Sequence, residues 1–250
     1  MIIDLLTATE MPHINVFTKY KKDSLLKAIP CEINEFNEKG YRSDSFYEKG
    51  DIKVISIGCS DVFGYALNKS DRFSDVFCSE LAKKTNKKIV NWNLGLPGKS
   101  NDYIARNILL SKKILQPSIV LICFTRILRR EWFGEDGSCV DFIPGMSNFK
   151  TMMHVASIDN LSNYNQNILN FYMNYKLIES TLHDTKFMFT LSLNSRGKLV
   201  GLDDILKITD TEKYVGYFDV IDHADRDHPG KLSNEKLAHL FLEKYMEKKL

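Results

Sequence analysis

The chain has 250 residues, 44% of them hydrophobic, enough to bury one sizeable core in a single α/β domain. Thirty-four Lys and Arg against 32 Asp and Glu leave a formal charge of +2, which gives no electrostatic ground for a nucleic-acid or membrane partner. The five cysteines (Cys31, Cys59, Cys78, Cys123 and Cys139) are odd in number and contain no Cys-x-x-Cys pair, which favours reduced, mostly buried thiols in a cytosolic setting over a disulfide framework or a zinc knuckle.

Residues 1–50 are mixed and aperiodic and read as an N-terminal extension packed on the domain. Acidic Asp4 stands where a secretory leader would carry basic residues, and no stretch reaches the roughly 18 apolar residues of a membrane span, so a cytoplasmic location is expected. In Asn37-Glu38-Lys39-Gly40-Tyr41-Arg42-Ser43, Gly40 permits a positive-φ turn, Tyr41 is an anchor for a groove, and Arg42 offers a planar fork to a carboxylate or carbonyl. A plain turn with a solvated arginine is the competing reading. Val54-Ile55-Ser56-Ile57 is a β-branched run for a central strand, and Gly58 relieves crowding where the chain turns. Ser60 then stands at the C-terminal edge of the sheet, either as a nucleophile beside the free N–H groups of a helix starting at Asp61 or as a simple N-cap.

Helical spacing of Phe73, Val76, Phe77 and Leu81 predicts a helix over Ser70 to Lys84, and Ile89 to Gly95 is a second strand. It runs into Leu96-Pro97-Gly98-Lys99-Ser100-Asn101-Asp102, a loop that opens a helix over Asn101 to Leu115, stopped by Pro117. Ile119 to Thr125 is a third strand. Beyond it, Arg129 and Glu131 are either an ion pair or substrate contacts. Residues 134–160 are long for a plain connection and read as a lid or rim over the site. Leu161 to Leu182 is a helix capped by Asn160 or Ser162, with Ile168, Leu169, Tyr172, Tyr175 and Ile178 in the core, and Phe187 to Leu193 is a fourth strand. In Asp222-His223-Ala224-Asp225-Arg226-Asp227-His228-Pro229-Gly230, Asp225 and His228 are spaced to present a carboxylate and an imidazole to one point. A metal site or a solvated acidic loop are the other readings of this stretch. A closing helix from Ser233 and Asn234 carries Leu237, Ala238, Phe241 and Tyr245. This alternation of strands and helices is that of a three-layer α/β/α domain with a mostly parallel sheet of about five strands.

Several stretches resemble the blocks of the SGNH (GDSL-type) hydrolase superfamily. Gly58-Cys59-Ser60-Asp61-Val62-Phe63-Gly64 is similar to the first block, with Cys59 in the aspartate position. Asn37 to Ser43 is similar to a segment that precedes it in some members, Asn93 to Ser100 resembles the second block, and Asp225-x-x-His228 followed by Pro229-Gly230 resembles the fifth. The third block, Gly-x-Asn-Asp, is altered: Thr125 occupies the asparagine position, and the pattern aromatic-Thr-x-x-x-Arg-x-Glu resembles a variant seen in SGNH-like proteins of bacteriophages.

The resemblance implies a flavodoxin-like SGNH fold in a bacterial or phage-infected cytoplasm. It implies a serine esterase or deacylase in which Ser60 attacks, His228 moves the proton and Asp225 orients His228. The N–H groups of Asp61 and Gly98 would hold the oxyanion, with Thr125 a third donor, and Arg42, Arg129 and Glu131 would be substrate contacts or structural residues. No metal or organic cofactor is required. The implied substrate is a small-molecule or glycan ester, with O-acetyl groups on a glycan favoured, and no oligomeric state is implied. Losing one oxyanion donor typically costs about 2.7–4 kcal/mol of transition-state stabilisation. Thr125 therefore also motivates the alternative of a catalytically weakened protein that binds a glycan or a protein partner.

Overall fold

A computed structural model of the chain describes residues 9–12, 35–133, 139–142, 163–192 and 201–247, with the backbone alone for 139–142. In chain order the elements are β1 (Ile52–Ile57), α1 (Ser60–Phe63), α2 (Phe73–Thr85), β2 (Ile89–Asn93), α3 (Asn101–Leu115), β3 (Ile119–Phe124), β4 (Arg130–Phe133), β5 (Cys139–Phe142), α4 (Tyr164–Thr181), β6 (Lys186–Ser192), α5 (Leu202–Ile208), β7 (Tyr214–Phe218) and α6 (Lys231–Glu247). Five strands form one sheet in the order β2-β1-β3-β6-β7, every neighbouring pair parallel, while β4 and β5 make a separate antiparallel pair.

A parallel sheet is covered on both faces, so its central strands read as continuous apolar runs. Every residue of β3 is buried. On one face Ile55, Ile57, Val120, Ile122, Phe187 and Phe189 pack under Ile104 and Ile108 of α3 and Phe171, Tyr175 and Ile178 of α4. On the other, Val54, Leu121 and Met188 pack under Phe73, Phe77 and Leu81 of α2 and Leu237 and Phe241 of α6. These are the three layers expected from the strand and helix alternation. Cys59, Cys78 and Cys123 are free and buried. No helix among the described residues is long and apolar enough to cross a membrane.

Several expectations are corrected. The helix placed over 70–84 starts at Phe73, because Lys69–Asp71 forms a 3-10 turn and Arg72 is extended. In α4 the buried stripe is Asn167, Phe171, Tyr175 and Ile178, whereas Leu169 and Tyr172, expected in the core, lie on the outer face with 50% and 38% exposure. The cap of α4 is Asn163, whose Oδ1 accepts from Gln166 N at 2.9 Å; Asn160 and Ser162 lie outside the described residues. The closing helix begins at Lys231, so Ser233 and Asn234 are buried in its first turn. The fifth strand, β7, escaped the sequence reading. It is an edge strand with Gly216 at φ +109 and a register irregularity against β6, features that erase the periodicity of a strand. Of the lid expected over 134–160, only the backbone of Cys139–Phe142 falls within the described residues.

Candidate active site

Because the five strands are parallel, their C-terminal ends share one edge, the edge at which open α/β sheets bind ligands. Ser60 follows β1, Gly98 follows β2, Thr125 follows β3, and the Asp225–His228 loop follows β7.

The turn after β1 is set by close packing. A Cβ on Gly58 would lie 2.4 Å from Val62 Cγ2 and 2.7 Å from the Cys123 carbonyl oxygen, so only glycine fits. In α1, Phe63 N donates to Cys59 O (3.0 Å) and Gly64 N to Ser60 O (3.1 Å), which leaves the N–H groups of Ser60, Asp61 and Val62 ahead of the first helical bond. Ser60 is half-buried, with Oγ 3.9 Å from Cys59 Sγ. The Asp61 carboxylate accepts from Ser192 Oγ at the end of β6 (2.6 Å), tying the turn to a strand two places away along the same sheet edge.

Buried polar side chains hold this turn from behind. Asn93 Nδ2 donates to Val62 O (2.7 Å) and Asn93 Oδ1 accepts from Gly95 N (2.8 Å), so the end of β2 and α1 are locked together. Arg42 is fully buried, not solvated: Nη1 donates to Gly64 O (2.8 Å) and Phe63 O (3.4 Å), Nη2 to Leu67 O (2.8 Å), and Nε to the Glu35 carboxylate (2.6 Å). Its fork thus clamps the backbone just beyond α1.

Gly98 takes φ +79 in the turn before α3, whose start is capped by Ser100 Oγ accepting from Tyr103 N (3.3 Å). Thr125 is 5% exposed, and the Asn101 side chain brackets its backbone: Asn101 Oδ1 accepts from Thr125 N (2.9 Å) and Nδ2 donates to Thr125 O (3.0 Å). Arg129 and Glu131 do not form the ion pair read from the sequence. Arg106 takes the Glu131 carboxylate with two prongs, Nε at 3.0 Å and Nη2 at 2.7 Å, because α3 packs directly under β4. Nε and Nη1 of Arg129 are buried without a hydrogen-bond partner.

His228 Nδ1 lies 3.0 Å from both carboxylate oxygens of Asp225, and Asp225 Oδ1 also accepts from the N–H groups of Asp227 and His228, each at 2.8 Å. Burial works against the Asp225 charge, but those two N–H groups and the imidazole outweigh it and hold the carboxyl below the usual range. The neighbouring Asp222 is committed elsewhere. It accepts from Leu232 N (2.9 Å), Ser233 N (2.8 Å) and Ser233 Oγ, capping α6, and a Cβ on Gly230 would strike its carboxylate at 2.3 Å.

The structure therefore brings Asp225 and His228 into contact and sets Ser60, Gly98 and Thr125 on the same edge. Ser60 Oγ and His228 are not hydrogen-bonded to each other among the described contacts. Tyr65 links them: its N–H donates to Ser60 O (3.1 Å), and its ring stacks on the imidazole with centroids 4.5 Å apart and 28° between planes. Tyr65, Asn93 and Asn101 were missed as site residues, since an aromatic after a glycine and amides at strand and helix ends are too common to single out. An unprotonated imidazole whose Nδ1 is engaged by a carboxylate presents Nε2 as a base, and the unpaired N–H groups of α1 can receive a developing negative charge.

No family model matches the chain, and no curated protein is similar to it in sequence. Among solved structures, it resembles TesA at 12% identity, with 77% of this chain and 97% of that chain covered and a TM-score of 0.51. The lipase/acylhydrolase from Enterococcus faecalis is 15% identical over 79% of this chain and 96% of that one, with a TM-score of 0.49. The psychrotrophic esterase EstA from Pseudoalteromonas sp. is 13% identical over 79% and 98%, with a TM-score of 0.47. At these identities the likeness is one of fold.

Proposed function

We propose that the chain is a serine ester hydrolase of SGNH type, with Ser60 as nucleophile, His228 as general base and acid, and Asp225 as its orienting carboxylate. The observation that carries this reading is the Asp225–His228 pair, joined at 3.0 Å on the sheet edge where Ser60 begins α1. Ser60 Oγ forms a bond to the ester carbonyl carbon as its proton passes to His228 Nε2. The N–H groups of Asp61 and Gly98 and the Thr125 hydroxyl hold the oxyanion. Collapse breaks the bond to the alcohol, which leaves with the proton from His228, and water then releases the acid from Ser60 by the same steps. Within this class the favoured substrate is an O-acetyl ester on a glycan, an inference from the block resemblance that extends to a phage-like variant through Thr125, Arg129 and Glu131.

The test is labelling of the purified protein and its Ser60→Ala variant with a fluorophosphonate, followed by hydrolysis of 4-nitrophenyl acetate. Labelling and hydrolysis that both disappear with Ser60 support the proposal. A folded protein that does neither overturns it and favours the second reading, a binding protein for a glycan or protein partner. That reading draws on the threonine at the third donor position and on the absence of a Ser60–His228 hydrogen bond among the described contacts.

A further inference from the structure

We infer that Tyr65 is a positioning residue for His228, its ring fixing the imidazole plane and stabilising the imidazolium, and that Arg42 acts on the site through Tyr65. The catalytic part of this inference rests on the hydrolase reading above; the stack itself does not.

Asp225 engages the imidazole at Nδ1 alone, and a ring held at one atom needs a second contact to fix its plane, since rotation about that atom would swing Nε2 away from any hydroxyl it must deprotonate. A flat ring 4.5 Å away at 28° stops that motion from one side. The same ring backs onto the core layer that contains Ile57 and Phe63, so Tyr65 is a wedge between the core and the imidazole. An aromatic face is also electron-rich and favours a cation over it. Burial and the nearby Asp225 charge push the Tyr65 hydroxyl up, so the ring over the imidazole is the neutral phenol.

The backbone is arranged to present this ring. Tyr65 N is pinned to Ser60 O, and Gly64 turns the chain at φ +75, where a Cβ would strike the Arg72 side chain at 2.4 Å. Arg42 then holds the carbonyls on both sides of Tyr65, Gly64 O and Leu67 O, each at 2.8 Å. A fully buried guanidinium is costly to bury and is kept only where its donors are used; here they define the turn that carries Tyr65. The titratable groups described against the imidazole are Asp225, from its own loop, and Tyr65, from the turn beyond α1.

The experiment follows the His228 ring protons by NMR against pH in the full-length Ser60→Ala protein, alone and with Tyr65→Phe, Tyr65→Leu or Arg42→Lys. In parallel, kcat and KM for 4-nitrophenyl acetate are measured in the same variants with Ser60 intact. Tyr65→Phe keeps the ring, so its titration stays in place and kcat stays within about twofold. Tyr65→Leu lowers the titration midpoint by about half a pH unit and kcat by about two- to fivefold, with KM little changed. Arg42→Lys keeps the charge but loses the fork, and shifts the titration in the same direction. If Tyr65→Leu does not fold, Tyr65→Met fills the space without a π-face and is read in its place. A His228 titration and kcat that are unmoved in the Leu or Met variant overturn the inference, as does a Phe variant shifted as far as Leu. An Arg42→Lys protein with an unmoved titration overturns the route from Arg42. A titration that moves in a protein without hydrolysis keeps the stack and removes the hydrolase reading; hydrolysis with an unmoved titration does the reverse.

Discussion

Gly95→Ala tests how the second loop and the nucleophile turn are fitted together. The φ of Gly95 is not positive, so an alanine backbone is acceptable there and any cost comes from space. The new Cβ would sit 2.5 Å from Phe63 N and 2.8 Å from Val62 C and Val62 Cβ, where ordinary contact begins at 3.4 Å. Roughly 1 Å of separation must be created between backbone and backbone, with no flexible side chain to yield. Neither side moves freely: Leu94 N and Leu96 N are bonded to Ser56 O and Gly58 O at 2.7 and 3.2 Å, and α1 is held by Asn93 and Arg42. Overpacking of this kind costs about 1–3 kcal/mol, which in a chain of this length lowers the melting temperature by about 2–12 °C. A displacement of Ser60 or Gly98 by even part of that ångström lowers kcat by about ten- to a hundredfold on the proposed ester substrates. Calorimetry and aryl-acetate kinetics read the two effects separately. A variant that melts and turns over like the wild type would refute the claimed contact between the β2 loop and α1.

Asn101→Ala strips both partners from the buried backbone of Thr125 and is expected to cost about 2–6 kcal/mol in urea unfolding, at about 1–3 kcal/mol per orphaned group; a loss below about 0.5 kcal/mol would mean that the bracket carries no weight. Thr125→Val removes the hydroxyl at constant shape, and about a tenfold or greater drop in kcat at similar KM is expected if it donates to the oxyanion; an unchanged kcat removes Thr125 from that role. Asp222→Ala removes the cap of α6 and costs about 1 kcal/mol at neutral pH. Burial opposes the Asp222 charge, but the hydroxyl and N–H of Ser233 and the N–H of Leu232 hold its carboxyl below the ordinary range. Its folded-state pKa is therefore depressed, so its contribution is complete above the unfolded value of about 3.9 and is lost as the pH falls through the folded value. The stability gap to the variant should accordingly narrow from about pH 4 downward, and a gap that is constant from pH 7 to pH 2 would contradict the cap.

What could be read from the sequence followed from how local the signal is. β3 is six apolar residues in a row, and Gly58-Cys59-Ser60 breaks β1 in a way that only a tight turn explains, so strand, turn and nucleophile candidate were all visible in one window. Asp225 and His228 were legible for the same reason, being three residues apart in one loop. The partner of Glu131 was not, because Arg106 lies one helix upstream and meets it only after α3 and β4 pack. The outward turn of Leu169 and Tyr172 was equally hidden: α4 carries apolar residues on more than one face, and only the sheet decides which stripe is covered. Tyr65 meets His228 from the far end of the chain, a pairing that no window of sequence contains.

The buried polar residues explain how an edge made of loops keeps its shape. Loop backbones cannot satisfy their own N–H and C=O groups as strands and helices do, and a buried loop must find partners elsewhere. Each loop at this edge has such a partner from a different element: Arg42 for residues 63–67, Asn93 for Val62 and Gly95, and Asn101 for Thr125. Asn234 serves the last loop, accepting from Phe73 N (3.0 Å) and donating to Gly230 O (2.9 Å). These four side chains are at most 2% exposed, so each bond is made in a low-dielectric setting where leaving it unmade is costly. A loop cannot shift without breaking a bond to its neighbour, and the neighbour is itself held by the next. The turn beyond Ser60, the start of the β2 loop, Thr125 and the end of the loop before α6 are thus each held by an amide or a guanidinium. On the proposed hydrolase function, changes at those four residues should therefore alter catalysis and stability together, whereas a change confined to the Thr125 hydroxyl should alter catalysis alone.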